Sequence, residues 1–407
     1  MKPDTEYFRQ KVIENIDMTR EPGNSELHQI IDAVIEDNSD YRYMSINERC
    51  KLHKEIYDSI KGLGILEELI EDQDITEIMI NGTDCIYIEK SGQLEKIKER
   101  FTSESRLNDV IQQIVGNANK RVNESNPIVD TRLEDGSRVN VVLPPVAIDG
   151  AVITIRKFPK NNITMKQLIK WGSVTREVAD FLRDIVVAGY NIFISGGTGS
   201  GKTTFLNALS DFIPESERII TIEDSAELQL SKVDNLVRLE ARQANSEGNN
   251  EVTIRDLIKT SLRMRPNRII VGEVRGKEAL DMLQAMNTGH DGSMSTGHAN
   301  SPGDMLARLE TMVLTGIDMP LDAIRAQIAS GIDVIIHLGR LRDKSRKVLE
   351  IDEVTGYVEG QIMLRPLYIF QQEDEEQGSV KGKLIKTEYP LLHREKIEHH
   401  GIRKRGY

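Results

Sequence analysis

The chain has 407 residues, of which 39% are hydrophobic, 29% charged and only 5% aromatic. That is too long for one ordinary domain and apolar enough for real cores, so wholesale disorder is excluded. A net charge of −12 is the wrong sign for a dedicated nucleic-acid binder. No run approaches the ~18 uncharged apolar residues that a membrane-spanning helix needs. MKPDTEYFRQ has no signal-peptide core, and Cys50 and Cys85 form no CxxC pair, which together predict a soluble cytoplasmic protein.

In chain order, residues 1–64 read as a helical extension. A weak helical run covers Leu27–Glu36, and Leu52, Ile56, Ile60 and Leu63 recur at helical spacing; the first twenty residues are expected to be loose. From Ile75 the period shifts towards two. ITEIMING and CIYIEKSGQLEKI predict strands broken by turns at Asn81-Gly82-Thr83-Asp84 and Lys90-Ser91-Gly92. A helix over Arg106–Asn119 follows, then strands at Ile128–Arg132, RVNVVLP and GAVITIRKF. Residues 65–158 are thus expected to form an α/β N-terminal domain, with 159–175 (PKNNITMKQLIKWGSVT) as the interdomain segment.

Residues 176–360 alternate strands with helices of 10–15 residues, which predicts a parallel sheet covered on both faces. Strands are expected at 191–195, 218–222, 268–272 and 332–338, with a polar His-bearing loop between Met286 and His298. Residues 361–407 read as a separate tail, with an acidic run at Glu373–Glu376, a His399-His400 pair and a basic end at Arg403-Lys404-Arg405.

The strongest chemical signal is Gly196-Gly197-Thr198-Gly199-Ser200-Gly201-Lys202-Thr203, followed by Thr204. It fits G-x-x-x-x-G-K-[ST] after an apolar strand and at the start of a helix. Glycines let backbone N–H groups turn inward around phosphate oxygens, and the helix N-terminus adds partial positive charge. Lys202 suits the β/γ-phosphates, and the Thr203 hydroxyl suits Mg²⁺. A chance match in a chain of this length arises only about 1–2% of the time. ATP and Mg²⁺ are therefore the expected ligands.

Such a loop needs acids at neighbouring strand ends. RIIVGE ends in Glu273, placed to orient or deprotonate an attacking water, although Gly272-Glu273 stands where a plain Walker B strand has Asp. RIITI is followed by Glu223 and Asp224, which could share water and metal duties; a turn or cap at Asp224-Ser225 is the plainer alternative. His290 and His298 are eight apart with no third ligand nearby, so phosphate sensing suits them better than zinc.

At this point the residues resemble a family. GGTGSGKTT, TIEDSAELQL, RIIVGEVRG and TGHDGSMSTGHAN follow the order of the Walker A, Asp-box, Walker B and His-box motifs of the type II/type IV secretion ATPases. The run MNTGHDGSMSTGHANSPGDMLARLETMV most resembles the CpaF-like branch of the tight-adherence (Flp) pilus systems. The resemblance covers roughly residues 60–355 and implies a RecA-like P-loop domain behind an α/β N-terminal domain. It implies a homo-hexameric motor acting on an inner-membrane platform protein, with no direct nucleic-acid partner. It also implies arginines reaching the nucleotide from the N-terminal domain, matched here by Arg138 and Arg156 and more weakly by Arg132. Arg275 is expected to bridge the acids or meet a neighbouring subunit, with Arg263 and Arg265 as weaker interface candidates. Gly297 stands where a bulkier residue is expected before His298, predicting a looser loop. A DNA-translocating or recombinase-like ATPase and a nucleotide-gated scaffold are the competing readings.

Overall fold

The structure is a computed structural model that describes residues 5–16, 24–38, 44–60, 62–90, 92–158, 162–242, 250–376 and 379–402. Ser91 of the second predicted turn, residues 159–161 of the interdomain segment and the basic end from Arg403 lie outside the described residues. The chain divides into two compact units, Met1–Lys160 and Asn161–Tyr407.

The first unit opens with helices α1 (Thr5–Glu14), α2 (Asn24–Asp37), α3 (Ile46–Ile60) and α4 (Ile65–Glu71). Phe8 and Val12 of α1 are fully buried against Leu27, Ile31, Leu52 and Ile56, so Thr5–Glu14 is a packed helix where the sequence suggests a loose segment. Then come β1 (Ile75–Asn81), β2 (Ile86–Lys90), β3 (Gln93–Lys96), α5 (Glu104–Asn117), β4 (Ile128–Arg132), β5 (Arg138–Val142) and β6 (Val152–Arg156). The strands form one sheet in the order β3-β2-β1-β6-β5-β4. Ser103 caps α5 by accepting the Arg106 N–H, and its Leu107, Val110, Ile111, Ile114 and Val115 recur on one face. That stripe packs on Ile78, Ile80, Val139, Val141, Ile153 and Ile155, leaving the alternate residues of the strands on the opposite face.

The second unit begins with α6 (Met165–Lys170) and α7 (Arg176–Val187). Met165 and Leu168 join the core of this unit, so the greater part of the predicted interdomain segment is packed structure here. Next follow β7 (Ile192–Gly196), α8 (Lys202–Ser210), β8 (Arg218–Glu223), β9 (Asn235–Glu240), α9 (Ile254–Ser261), β10 (Arg268–Val271), α10 (Glu278–Asn287) and β11 (Met294–Gly297). The unit closes with α11 (Pro302–Leu314), α12 (Leu321–Gly331), β12 (Val334–Arg340), β13 (Arg346–Val358), β14 (Gln361–Glu376), β15 (Ser379–Lys386) and α13 (Glu395–His399).

These strands make a nine-stranded sheet ordered β15-β14-β13-β12-β7-β11-β10-β8-β9. The run from β12 to β9 is parallel, as the alternation of strands and helices predicts. Helices α7 and α8 cover one face through Phe181, Leu182, Phe205 and Leu206. Helices α10, α11 and α12 cover the other through Leu283, Leu309, Ile324 and Ile328.

Two strands of the parallel run were not legible, nor was the antiparallel β13. β9 is half-exposed at the sheet edge, and β11 runs through the end of the segment read as a polar loop. Residues 361–402, set apart by sequence as a tail, continue the sheet antiparallel through β14 and β15. The chain then folds back onto the core. The Glu353 carboxylate accepts the N–H groups of Leu392 and His393, and Lys396 Nζ donates to Asp333 Oδ2 at 2.7 Å.

Candidate active site

Every residue of β7 is buried, and it carries the chain to the loop 196–201 at the C-terminal edge of the sheet. Gly201 caps α8 at φ 91°, a left-handed conformation that L side chains resist. Lys202 is mostly buried and turned back into the loop. Its Nζ donates to Gly196 O and Gly197 O, each at 3.0 Å, and lies 3.1 Å from His298 Nδ1. Burial lowers the Lys202 pKa, while Glu273 opposes that shift. The Ser200 hydroxyl is buried with no partner. Phosphate oxygens would replace the two carbonyls and give these donors their acceptors.

The predicted acids converge at the same sheet edge. Glu273 Oε2 accepts from Arg275 Nη2 at 2.8 Å, and its Oε1 lies 2.9 Å from His298 Nε2. The latter is a close polar contact rather than an aligned hydrogen bond, because the same Oε1 has no hydrogen-bond partner by geometry. Burial and the Lys202 charge lower the His298 pKa, keeping the imidazole neutral. Arg275 also reaches Asp224 Oδ2 at 3.8 Å. One chain of contacts thus joins Lys202, His298, Glu273, Arg275 and Asp224.

Glu223 behaves differently from its neighbour Asp224. It is 4% exposed, and its Oε1 accepts the N–H groups of Glu227 at 2.9 Å and Leu228 at 3.0 Å. Burial pushes its carboxyl up to about 7, against those two hydrogen bonds. Oε2 is buried and unpartnered. The donor set suits Mg²⁺: a first-turn threonine hydroxyl, Asp224 and a carboxylate oxygen with no protein partner. Among the described residues no group of three or more His, Cys, Asp or Glu is placed to hold a metal ion.

Two glycines that depart from the expected motifs have packing reasons. A Cβ at Gly272 would fall 2.8 Å from Glu223 Cγ, so the strand end leaves room for Glu223. A Cβ at Gly297 would meet Met305 and Phe193 at 3.0 Å. Gly297 is buried in β11 opposite Ser195, so the residue before His298 is held in the sheet rather than loosened.

His290 is not brought to this site. It precedes β11 and lies at the opposite edge of the parallel sheet, with Nδ1 3.2 Å from Ala285 O at the end of α10. Of the two histidines, His298 is the one beside Lys202. Thr198 and Gly197 line a cavity of about 560 Å³ with His298, Asn300, Asp304 and Arg308. Thr204, Ser200 and Gly201 line another of about 290 Å³ with Trp171, Leu168 and Arg346. Sequence reasoning missed Arg308 and Arg346. Arg346 Nε donates to Gly199 O at 2.8 Å from 147 residues away, a separation no local pattern reveals.

The three flagged arginines of the first unit lie side by side. Arg132 pairs with Arg138, Arg138 with Arg156, and Arg156 with Glu77 across β4, β5, β6 and β1. They share the face turned away from the core, and Arg156 Nε is 3.7 Å from Glu77 Oε1. Arg263 and Arg265 are exposed beyond α9.

A glycine-rich loop between a buried parallel strand and a helix, with acids at the adjoining strand ends, defines a RecA-like nucleotide-binding domain. The chain belongs to the type II/IV secretion system protein family, whose model matches residues 59–382. It is 37% identical over 310 residues to a putative conjugal transfer protein of Mycobacterium tuberculosis, covering 74% of this chain and 87% of that one. It is 31% identical over 317 residues to the type IV secretion system protein PtlH of Bordetella pertussis, covering 71% and 93%. Among solved structures, the Legionella pneumophila ATPase DotB matches with a TM-score of 0.52 and 25% identity over 70% of this chain and 78% of that one. The pilus retraction motor PilT with bound ADP matches in fold, with a TM-score of 0.53 at 20% identity over 84% and 87% of the two chains.

Proposed function

We propose that this protein is an Mg²⁺-dependent ATPase that works as a ring, a homo-hexamer, and drives assembly or secretion through a membrane platform in a type II/IV secretion or Flp-type pilus system. The observation that carries the ATPase reading is the contact chain from Lys202 through His298 to Glu273, which ties a phosphate-binding lysine to a carboxylate. The loop residues Gly196–Thr204 hold the phosphates of ATP, and Thr203 with Asp224 holds Mg²⁺, which supplies charge neutralisation at the phosphates. The smaller cavity, with Trp171 and Leu168 beside Thr204, suits the base. Glu273 takes a proton from water as the water oxygen attacks the γ-phosphorus; the bond to the bridging oxygen breaks and ADP departs with that electron pair.

The ring reading takes Arg138 and Arg156, adjacent on the outward face of the first unit's sheet, as arginines that reach a neighbouring subunit's phosphates. The larger cavity beside Gly197 and Thr198 leaves the γ-phosphate position open to such a partner. Among the described residues no helix is long and apolar enough to cross a membrane. In this reading the subunit is cytoplasmic and meets the membrane through its platform. The relatives named for secretion and conjugal transfer support that placement.

The test is steady-state ATP hydrolysis against subunit concentration, with particle size measured on the same samples. A rate per subunit that climbs as rings form supports the reading. No hydrolysis in any assembled state overturns it for the isolated protein, and stimulation by single-stranded DNA with steep salt dependence would favour a DNA motor instead.

A further inference from the structure

We propose that His337 is a positioning residue of the nucleotide site, which holds the loop carrying His298 in step with the strand that leads into the phosphate loop. The proposal rests on the ATPase reading for its kinetic consequences, though not for its structural ones. Strand β12 lies parallel to β7, with His337 opposite Ser195. The row continues on the other side of β7, where Gly297 is opposite Ser195. His337, Ser195 and Gly297 therefore share one face of the sheet, and His298 follows directly.

The polar groups in this row are deeply buried: His337 is 7% exposed and Ser195 0%. Nδ1 of His337 lies 2.9 Å from Ser195 Oγ. The ring also faces the backbone of Asn300, two residues beyond His298. Burial, with the nearby Lys202 charge, lowers the pKa of the ring, while Asp304 on α11 opposes the shift; Glu350 is its register neighbour on β13. A neutral imidazole has one N–H and one lone pair. Placing the N–H towards the Asn300 backbone leaves Nδ1 to accept the Ser195 hydroxyl. The ring thereby joins Ser195, which precedes the phosphate loop, to the segment that follows His298.

The β7–β11 ladder pairs Ser195 with Gly297, and the His337 bridge adds a side-chain tie just beyond the end of that ladder. Lys202 Nζ touches His298 from the front, and a phosphate that draws Lys202 away would loosen that contact. The His337 bridge lies behind the loop and does not depend on Lys202. An imidazole in this strand is otherwise hard to account for, since Ile335, Ile336 and Leu338 around it are apolar and buried.

The full-length chain serves for the test, with His337→Leu and His337→Gln. Leucine removes both polar functions, whereas glutamine keeps a donor and an acceptor. We expect His337→Leu to lower kcat about tenfold with KM for ATP changed less than about threefold, and glutamine to restore kcat to within about threefold, as expected for a misplaced catalytic geometry. In a His298→Ala background the leucine change should cost less than about twofold, because it acts through His298. Amide hydrogen exchange supplies a readout that needs no turnover: residues 298–301 should exchange about tenfold faster in His337→Leu and not in His337→Gln. Full kcat in the leucine variant, equal losses with and without His298, or unchanged exchange at 298–301 would each overturn the proposal. A wild-type protein without ATPase activity would instead strike the function proposed above, and the exchange result would still decide the role of His337.

Discussion

Gly272 and Glu223 occupy space that only one side chain can fill: a Cβ at 272 would stand 2.8 Å from Glu223 Cγ. The carboxylate that ends β8 lies over the end of β10, and Glu223 then gathers the N–H groups of Glu227 and Leu228. A strand end with Asp at 272 would collide with this arrangement. The carboxylate proposed as the base accordingly stands one residue later, at Glu273.

Gly272→Ala should therefore destabilise the protein by about 1–3 kcal/mol, the usual cost of overpacking. Thermal unfolding measures it. Shortening the opposing side chain in Gly272→Ala with Glu223→Ser should recover part of the loss. If the double variant is no more stable than the sum of the single changes, the two residues are not in conflict.

Glu273→Gln keeps the size of the side chain and removes the base. Hydrolysis should fall about 100-fold or more. Nucleotide affinity, followed by a fluorescent ATP analogue, should stay within about threefold. Lys202→Ala should do the reverse and remove binding first. A Glu273→Gln enzyme with normal turnover would move the base elsewhere, and Glu223 would be the next candidate.

The arginine ladder makes a prediction about mixed rings. Arg156→Ala and Glu273→Gln subunits should each be nearly inactive alone. Mixed in equal amounts they should recover activity, because some sites then combine an intact acid from one chain with an intact arginine from the next. Recovery to roughly a quarter of wild type is the random-pairing expectation, assuming an effective arginine in trans. If mixing restores nothing, Arg156 serves its own chain or has no role in catalysis.

Asp352 lies far along β13 from the phosphate loop and is 2% exposed, beside Glu350. Burial and the neighbouring carboxylate raise it from an ordinary 3.8 to about 7. The folded state thus holds a proton that the unfolded chain releases. This group's stabilising contribution is complete below pH 3.8 and is lost as pH rises towards about 7. Asp352→Asn removes the loss, so its stability relative to wild type should increase between pH 5 and pH 8. Urea midpoints across that range test the sign; a constant difference would mean Asp352 does not titrate there.

Much of the architecture was legible because it rests on local rules. The stripe of Leu107, Val110, Ile111, Ile114 and Val115 identifies α5, and the alternation of Ile153 and Ile155 with polar neighbours identifies β6. The phosphate loop is legible for the same reason, since its chemistry is confined to nine consecutive residues, Gly196 to Thr204. The tail misled because β14 gains its stability from pairing with β13 and β15 from pairing with β14, and an edge strand half in solvent has no strong apolar signature. His290 misled for a different reason. Its motif is right, but it lies at the other end of β11 from His298, and only the direction of that strand separates the two.

By itself the sequence pointed to a phosphate loop with Lys202 and determined that acids follow two apolar strands, because each of those features is written within a few adjacent residues. Only the tertiary structure decided which acid faces His298, why Gly272 cannot bear a side chain, and that Arg132, Arg138 and Arg156 stand in one row. Those relationships join residues brought together by sheet register. Register is set by the burial of whole strands and leaves no mark on the residues it aligns.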